Sequence, residues 1–216
     1  MMIESIILAA GFSSRAGAFK MELSFGEKKL IERVIESIPG FVSRIIIVTG
    51  HQHQRIENIA RLFPSNRVIT THNRNYERGM FSSVREGVRR LEGDAFFIMP
   101  GDFPFITPRV FDILLKTLET SDQGINVFIP TFNGRKGHPV LMKKPMVKEI
   151  LDEPVDSTLK TVINRNRFFT VGVGHEGILI DIDTPGDYEN AKARLRQTET
   201  GSSDFTLPGI GDIINT

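Results

Sequence analysis

Short apolar runs alternate with amphipathic stretches along most of the chain. Residues 6–9 form an apolar run of the kind a buried strand requires. Leu30, Ile31, Val34, Ile35 and Ile38 then recur at helical spacing, and Pro39-Gly40 ends that helix. The alternation continues with a strand at 44–49, a helix at 54–62, a strand at 67–71 and a helix at 83–91. Ser83 and Glu86 have the spacing of a capping box. A strand at 95–99 follows, and Thr107-Pro108, an N-cap residue before a first-turn proline, opens a helix through residue 118. This order predicts an α/β protein with a mostly parallel sheet and helices on both faces.

From residue 126 the pattern changes. Strands at 126–131 and 138–142 flank the turn-rich stretch 133–137, so an antiparallel element is expected in the C-terminal half. Helical spacing covers 145–151 and 157–164, strands are expected at 168–171 and 177–182, and Thr184-Pro185-Gly186-Asp187 opens a last helix to about residue 196. Residues 1–196 read as one domain without internal repeats. Residues 197–216 show neither periodicity and read as a mobile tail, with Phe205, Leu207 and Ile210 as docking points.

Composition narrows the function classes. Lys plus Arg number 27 against 26 Asp plus Glu, so net charge gives no sign of a nucleic-acid partner. An anion site must come from local clusters. The chain contains no cysteine, which excludes disulfides, thiolate metal sites and a cysteine nucleophile. The N-terminus lacks a basic start and its apolar run stops at Gly11, so no signal peptide is expected. No run of 18 apolar residues exists to span a membrane, and a cytoplasmic protein is expected.

The chemistry gathers at the ends of the predicted strands. After the first strand comes Leu8-Ala9-Ala10-Gly11-Phe12-Ser13-Ser14-Arg15-Ala16-Gly17-Ala18-Phe19-Lys20. Ligands of open α/β sheets bind at such carboxyl ends. The small residues Ala9, Ala10 and Gly11 let backbone amides approach a ligand. Ser13 adds a hydroxyl, Arg15 a planar fork for phosphate oxygens and Lys20 a second cation, a set suited to a triphosphate. Two familiar phosphate loops are excluded. Gly11 and Gly17 are too far apart for the Walker pattern, and Ser13 stands where the dinucleotide pattern needs glycine. Gly172–Gly177 matches that dinucleotide spacing formally but precedes a strand pattern, not a helix.

Other segments add candidates. Gly79, Ser82 and Ser83 stand at a helix start, where amides and hydroxyls favour anions or base edges. Asp102 follows an apolar strand in a Gly/Pro-shaped loop, as a Mg2+ ligand should. Asp181 and Asp183 fall on one face of the strand expected at 177–182, and Asp183 is the better second metal ligand. Arg135 falls inside the turn-rich segment, and His138 follows it.

The first block resembles the Leu-Ala-Ala-Gly-x-Ser-x-Arg-Met-Gly-x-x-Lys signature of the MobA-like nucleotidyltransferases, with Ala16 in place of methionine. Gly79–Val88, Asp102 with Pro104, Gly137-His138-Pro139-Val140 and Asp181–Pro185 resemble further segments of that family in order, over about residues 3–195. Within it the chain is most similar to the molybdenum-cofactor cytidylyltransferases. The resemblance implies a three-layer Rossmann-like nucleotidyltransferase fold and transfer of CMP from CTP to a molybdopterin-type acceptor, with pyrophosphate leaving. It implies nucleotide contacts from Leu8, Ala9, Ala10, Gly11, Ser13, Arg15, Lys20, Gly79, Ser82 and Ser83. Arg15, Lys20 and Asp102 take the catalytic roles, Mg2+ sits on Asp102 and Asp183, and Arg135 and His138 face the acceptor. CTP is favoured because GTP-using relatives carry glycine where this chain has Ala10. An apo-molybdoenzyme is an expected partner; nucleic acid and membrane are not. The stretch 155–160 keeps only Asp156 of the family's Gly-Asp-x-Gly-Ala-Arg, which leaves the acceptor open to a sugar or alcohol phosphate. A non-catalytic carrier of a pterin cofactor is the reading from another class.

Overall fold

The computed structural model describes residues 1–11 and 19–199. The sheet runs β10-β7-β9-β6-β1-β4-β5, formed by β1 (Ile3–Ala9), β4 (Arg44–Thr49), β5 (Val68–His72), β6 (Ala95–Pro100), β7 (Val127–Phe132), β9 (Val140–Lys143) and β10 (Phe168–Gly172). A short β8 (Arg135–Lys136) pairs with β7, and β2 (Ser24–Phe25) pairs with β3 (Lys28–Lys29) in a separate ribbon. β1 pairs in parallel with both β4 and β6, and β9 lies antiparallel between β6 and β7. The α/β class, the mostly parallel sheet and the antiparallel element of the C-terminal half are all present.

Period-two alternation along the strands makes two cores. Ile3, Ile7 and Ala9 face one side, where α1 (Leu30–Ser37), α2 (His53–Ala60) and α4 (Pro108–Thr120) pack. Ile6 and Leu8 face the other, against α3 (Met80–Val88), α5 (Pro145–Asp152) and α6 (Leu159–Asn164). A smaller cluster of Phe25, Leu30, Ile182, Ala191 and Leu195 fastens the last helix, α7 (Pro185–Glu199), to the β2–β3 ribbon. No helix among the described residues is long and apolar enough to cross a membrane.

Some expectations give way. β1 begins at Ile3, not Ile6, because Glu4 is buried with partners. Its Oε1 meets Arg44 Nε at 2.6 Å, and its Oε2 accepts from the backbone N–H groups of Glu92 and Gly93 at 2.7 and 2.5 Å. α3 begins at Met80 with Gly79 as its N-cap, so Ser83 and Glu86 lie inside it and form no capping box. The expected strand at 177–182 is a 3-10 turn over Glu176–Leu179 followed by irregular chain. Its backbone makes isolated bonds instead of a ladder: Ile178 accepts from His138 N–H, and Ile182 N–H donates to Asp102. Thr107 stands at the N-cap of α4 as expected but makes no side-chain capping bond.

Gly87 sets how closely α3 approaches the sheet. A Cβ there would stand 2.8 Å from Ile6 Cγ2 and 3.0 Å from Val48 Cγ2, both on fully buried side chains. Helix propensity favours alanine by up to about 1 kcal/mol, whereas overpacking costs about 1–3 kcal/mol. Gly87→Ala is expected to destabilise the protein by about 1 kcal/mol, read from the urea midpoint at constant slope. An unchanged or raised midpoint would contradict the close packing.

Candidate active site

The carboxyl ends of β6 and β1, with the chain after β5 and the start of α3, border a cleft of about 450 Å³. One end carries Lys20, Met21, Pro100, Asp102 and Asp183. Leu8, Ala10 and Gly11 form its middle, and Tyr76, Glu77, Gly79, Met80 and Ser83 the other end.

Each charged group is placed by its local chain. Lys20 starts a 3-10 turn over Lys20–Glu22 and is buried. Asp102 follows the tight turn at the end of β6, where Gly101 N–H donates to Leu8 O at 2.9 Å. Gly101 needs its small size: a Cβ would lie 3.1 Å from Met21 Sδ and 3.2 Å from Ile31 Cδ1. Asp183 arrives because Ile182 N–H donates to Asp102 O at 3.1 Å. Thr184 and Asp187 do the capping of α7. Asp187 Oδ2 accepts from Thr184 N at 2.8 Å and Thr184 Oγ1 at 2.8 Å, and these bonds hold its carboxyl below the usual range. The Asp183 carboxylate reaches Lys20 instead.

The result is one ammonium between two carboxylates. Lys20 Nζ lies 2.6 Å from Asp102 Oδ2 and 2.9 Å from Asp183 Oδ1. Burial opposes the lysine charge, but the two acids outweigh it and hold its pKa above the ordinary value. Burial pushes the Asp102 carboxyl above its ordinary value, and Lys20 pulls it back only in part. The two raised values have different causes: at Lys20 the acids outweigh burial, whereas at Asp102 burial outweighs the lysine. Asp102 Oδ1 is also enclosed, with no hydrogen-bond partner among the described residues. A hard divalent cation fits this donor set, since Mg2+ takes one or two carboxylates together with substrate phosphates. Asp102 and Asp183 are the residues that would hold it.

Other expected residues distribute unevenly. Leu8, Ala10, Gly11, Gly79 and Ser83 line the cleft, and Gly79 adopts φ +93°, which only glycine takes easily. Ala9 points its side chain into the core. Ser82 turns its hydroxyl onto Gly79 O and Asn75 O, at 2.8 and 2.9 Å. Ser13 and Arg15 lie outside the described residues, as does the stretch 200–216. Arg135 is exposed on β8, and neither it nor His138 lines the cleft. The His138 ring packs edge-on against Phe103, the residue after Asp102, at 4.9 Å between ring centres. The residue keeps some exposed surface, but its Nδ1 is enclosed with no partner among the described residues. Burial lowers its pKa to about 4, so the ring is neutral at pH 7. Tyr76, Glu77 and the buried Asn73 behind Ser83 escaped the sequence reading; the Asn73-x-Asn75 pair, a turn-forming signal, was the available sign.

Comparison with known proteins agrees with this geometry. Residues 5–169 match the model of the MobA-like NTP transferase domain. The chain is 32% identical over 199 residues to the molybdenum cofactor cytidylyltransferase of Escherichia coli (strain K12), covering 90% of this chain and 98% of that relative. It is 25% identical over 209 residues to a probable molybdenum cofactor guanylyltransferase of Natranaerobius thermophilus, covering 91% and 98% respectively. A solved nucleotidyl transferase from Methanothermobacter thermautotroptrophicus superposes with a TM-score of 0.76 at 22% identity, over 91% of this chain and 99% of that one, a likeness of fold.

The ion cluster makes stability depend on pH in a defined sense. The raised Lys20 pKa contributes stability that is present below the unfolded lysine value and lost as pH climbs through the folded one. The raised Asp102 pKa does the reverse: its cost sets in as pH rises above the unfolded carboxyl value. Lys20→Ala leaves the Asp102 charge with no counter-ion on the lysine side. It is expected to destabilise the protein by roughly 3 kcal/mol at pH 8 and by less in mildly acid solution, because protonation of a carboxyl already held above its ordinary value relieves the uncompensated charge. Denaturation series in the two conditions check this, and an equal loss in both would contradict it.

Proposed function

The chain belongs to the MobA-like NTP transferase family, and from that premise we propose that it transfers CMP from CTP to a molybdopterin-type molybdenum cofactor, releasing pyrophosphate. It is a nucleotidyltransferase. The observation that supports this reading best is the convergence of Lys20, Asp102 and Asp183 at one end of a nucleotide-sized cleft.

The reaction is in-line attack by an acceptor phosphate oxygen on the α-phosphorus, with pyrophosphate as leaving group. An acceptor phosphate is already ionised, so no general base is required. Positioning and charge stabilisation carry the catalysis. Enzymes of this family generally use a divalent metal, and Asp102 and Asp183 are the residues that would hold Mg2+. When bound, such an ion would supply neutralisation of phosphate charge. Lys20 neutralises charge growing at the α-phosphate, and Arg15 holds the departing pyrophosphate. Backbone amides around Ala9, Ala10 and Gly11 approach the triphosphate. His138, neutral at pH 7, offers the acceptor a hydrogen bond without charge, and Arg135 meets its phosphate.

CTP is favoured on two grounds. Identity is higher to the cytidylyltransferase than to the guanylyltransferase, 32% against 25%. Ala10 also lines the cleft, at the position where the family's GTP-using members carry glycine. Residues 1–196 act as the one catalytic domain, in the cytoplasm, and the product passes to an apo-molybdoenzyme.

Pyrophosphate release from CTP, GTP, ATP and UTP, with and without the pterin acceptor, tests the reading. Release is expected with CTP and acceptor together. Turnover on a sugar phosphate instead, or acceptor binding without any turnover, would overturn it. Lys20→Ala and Asp102→Ala are each expected to lower turnover at least about 100-fold. Near-normal turnover in either would remove its assigned role.

A further inference from the structure

Behind the wall of the cleft, one buried amide decides how a cleft hydroxyl is oriented. Asn73 is only 4% exposed. Its amide has one orientation, because Oδ1 accepts from the backbone N–H of Asn75 at 2.9 Å, a group that can only donate. Nδ2 therefore faces α3, where it donates to Ser82 Oγ at 2.8 Å and to Ser83 Oγ at 3.0 Å. Both amide hydrogens are used, so Asn73 keeps none for a ligand. Each serine accepts one bond and has one proton left to place. Ser82 directs its proton to backbone carbonyls of its own loop. Ser83 differs: it lines the cleft, and among the described residues no acceptor takes its proton.

We infer that Asn73 is a positioning residue for nucleotide binding: by donating to Ser83 it presents that hydroxyl to the cleft as a hydrogen-bond donor, which demands an acceptor on the ligand. The ring N3 and O2 of cytosine are acceptors of this class. The inference rests on the reading that the cleft takes CTP, and it adds which residue fixes the polarity of the contact. A ligand group that itself donates at this point leaves two protons facing each other in a partly dry site.

Asn73→Asp tests this almost without a change of shape. The aspartate still accepts from Asn75 N–H, but its second oxygen now accepts the Ser83 proton and turns a serine lone pair toward the cleft. Calorimetric titration of the full chain with CTP is expected to show about tenfold to a hundredfold weaker binding for Asn73→Asp. Asn73→Ala, which merely releases the hydroxyl, loses less. Ser83→Ala loses a similar factor, and the Asn73→Asp/Ser83→Ala double variant binds no worse than Ser83→Ala alone. In turnover, KM for CTP rises while kcat at saturating CTP and KM for the acceptor hold within about twofold. If Asn73→Asp does not fold, Asn73→Ala with Ser83→Ala completes the same cycle. Wild-type-like CTP binding in the position 73 variants, or losses that multiply in the double variant, would overturn the inference while wild-type binding keeps the proposed function standing. A wild-type chain that does not bind CTP sinks both.

Discussion

The site depends on one electrostatic arrangement, a lysine ammonium shared by two acids at the end of the central strands. Three distant stretches of chain meet there: the turn after the first loop, the turn after β6 and the entry to α7. Each is fixed by backbone hydrogen bonds independent of the charges. Gly101 bonds to Leu8, and Ile182 bonds to Asp102. The charges are therefore held close by the fold, and do not themselves create it. That distinction explains why Asp102 can sit above the ordinary carboxyl range beside a cation. Packing imposes the burial, and the lysine offsets only part of it.

Two carboxylates set beside a buried ammonium suit an enzyme that must gather a cation and a polyphosphate. The far end of the cleft has the opposite character. Tyr76, Gly79, Met80 and Ser83 offer an aromatic ring, a bare backbone, a thioether and a hydroxyl. This polarity along the cleft, charge at one end and neutral contacts at the other, matches the polarity of a nucleotide.

Much of this was legible in the sequence, and for physical reasons. Buried parallel strands must be nearly all apolar, so β4 and β6 announce themselves, and glycine and proline mark the loops that carry Asp102 and Asp183. The failures have equally specific causes. Glu4 hid the start of β1, because a fully paired buried carboxylate looks exposed in a linear pattern. The stretch 177–182 has strand-like residues, yet its backbone partners lie in three separate places and no ladder forms. The Asn73-x-Asn75 pair marked only a turn, because the contact of the Asn73 amide with hydroxyls nine and ten residues on has no linear signature. His138, expected to face the acceptor, lies edge-on against Phe103, and its Nδ1 is enclosed with no partner among the described residues.

The reversed direction of β9 has its own consequence. Every other strand in the main path delivers its last residue to the ligand-binding rim; β9 delivers its first. The hairpin at 133–138 thus enters the rim from above and places His138 against Phe103 without belonging to any strand-to-helix crossover. Length changes in such a hairpin leave the registers of β1, β4 and β6 untouched. The fold thereby separates the rim into a part tied to strand endings and a part tied to a strand beginning, and the second can be remodelled while the first stays fixed.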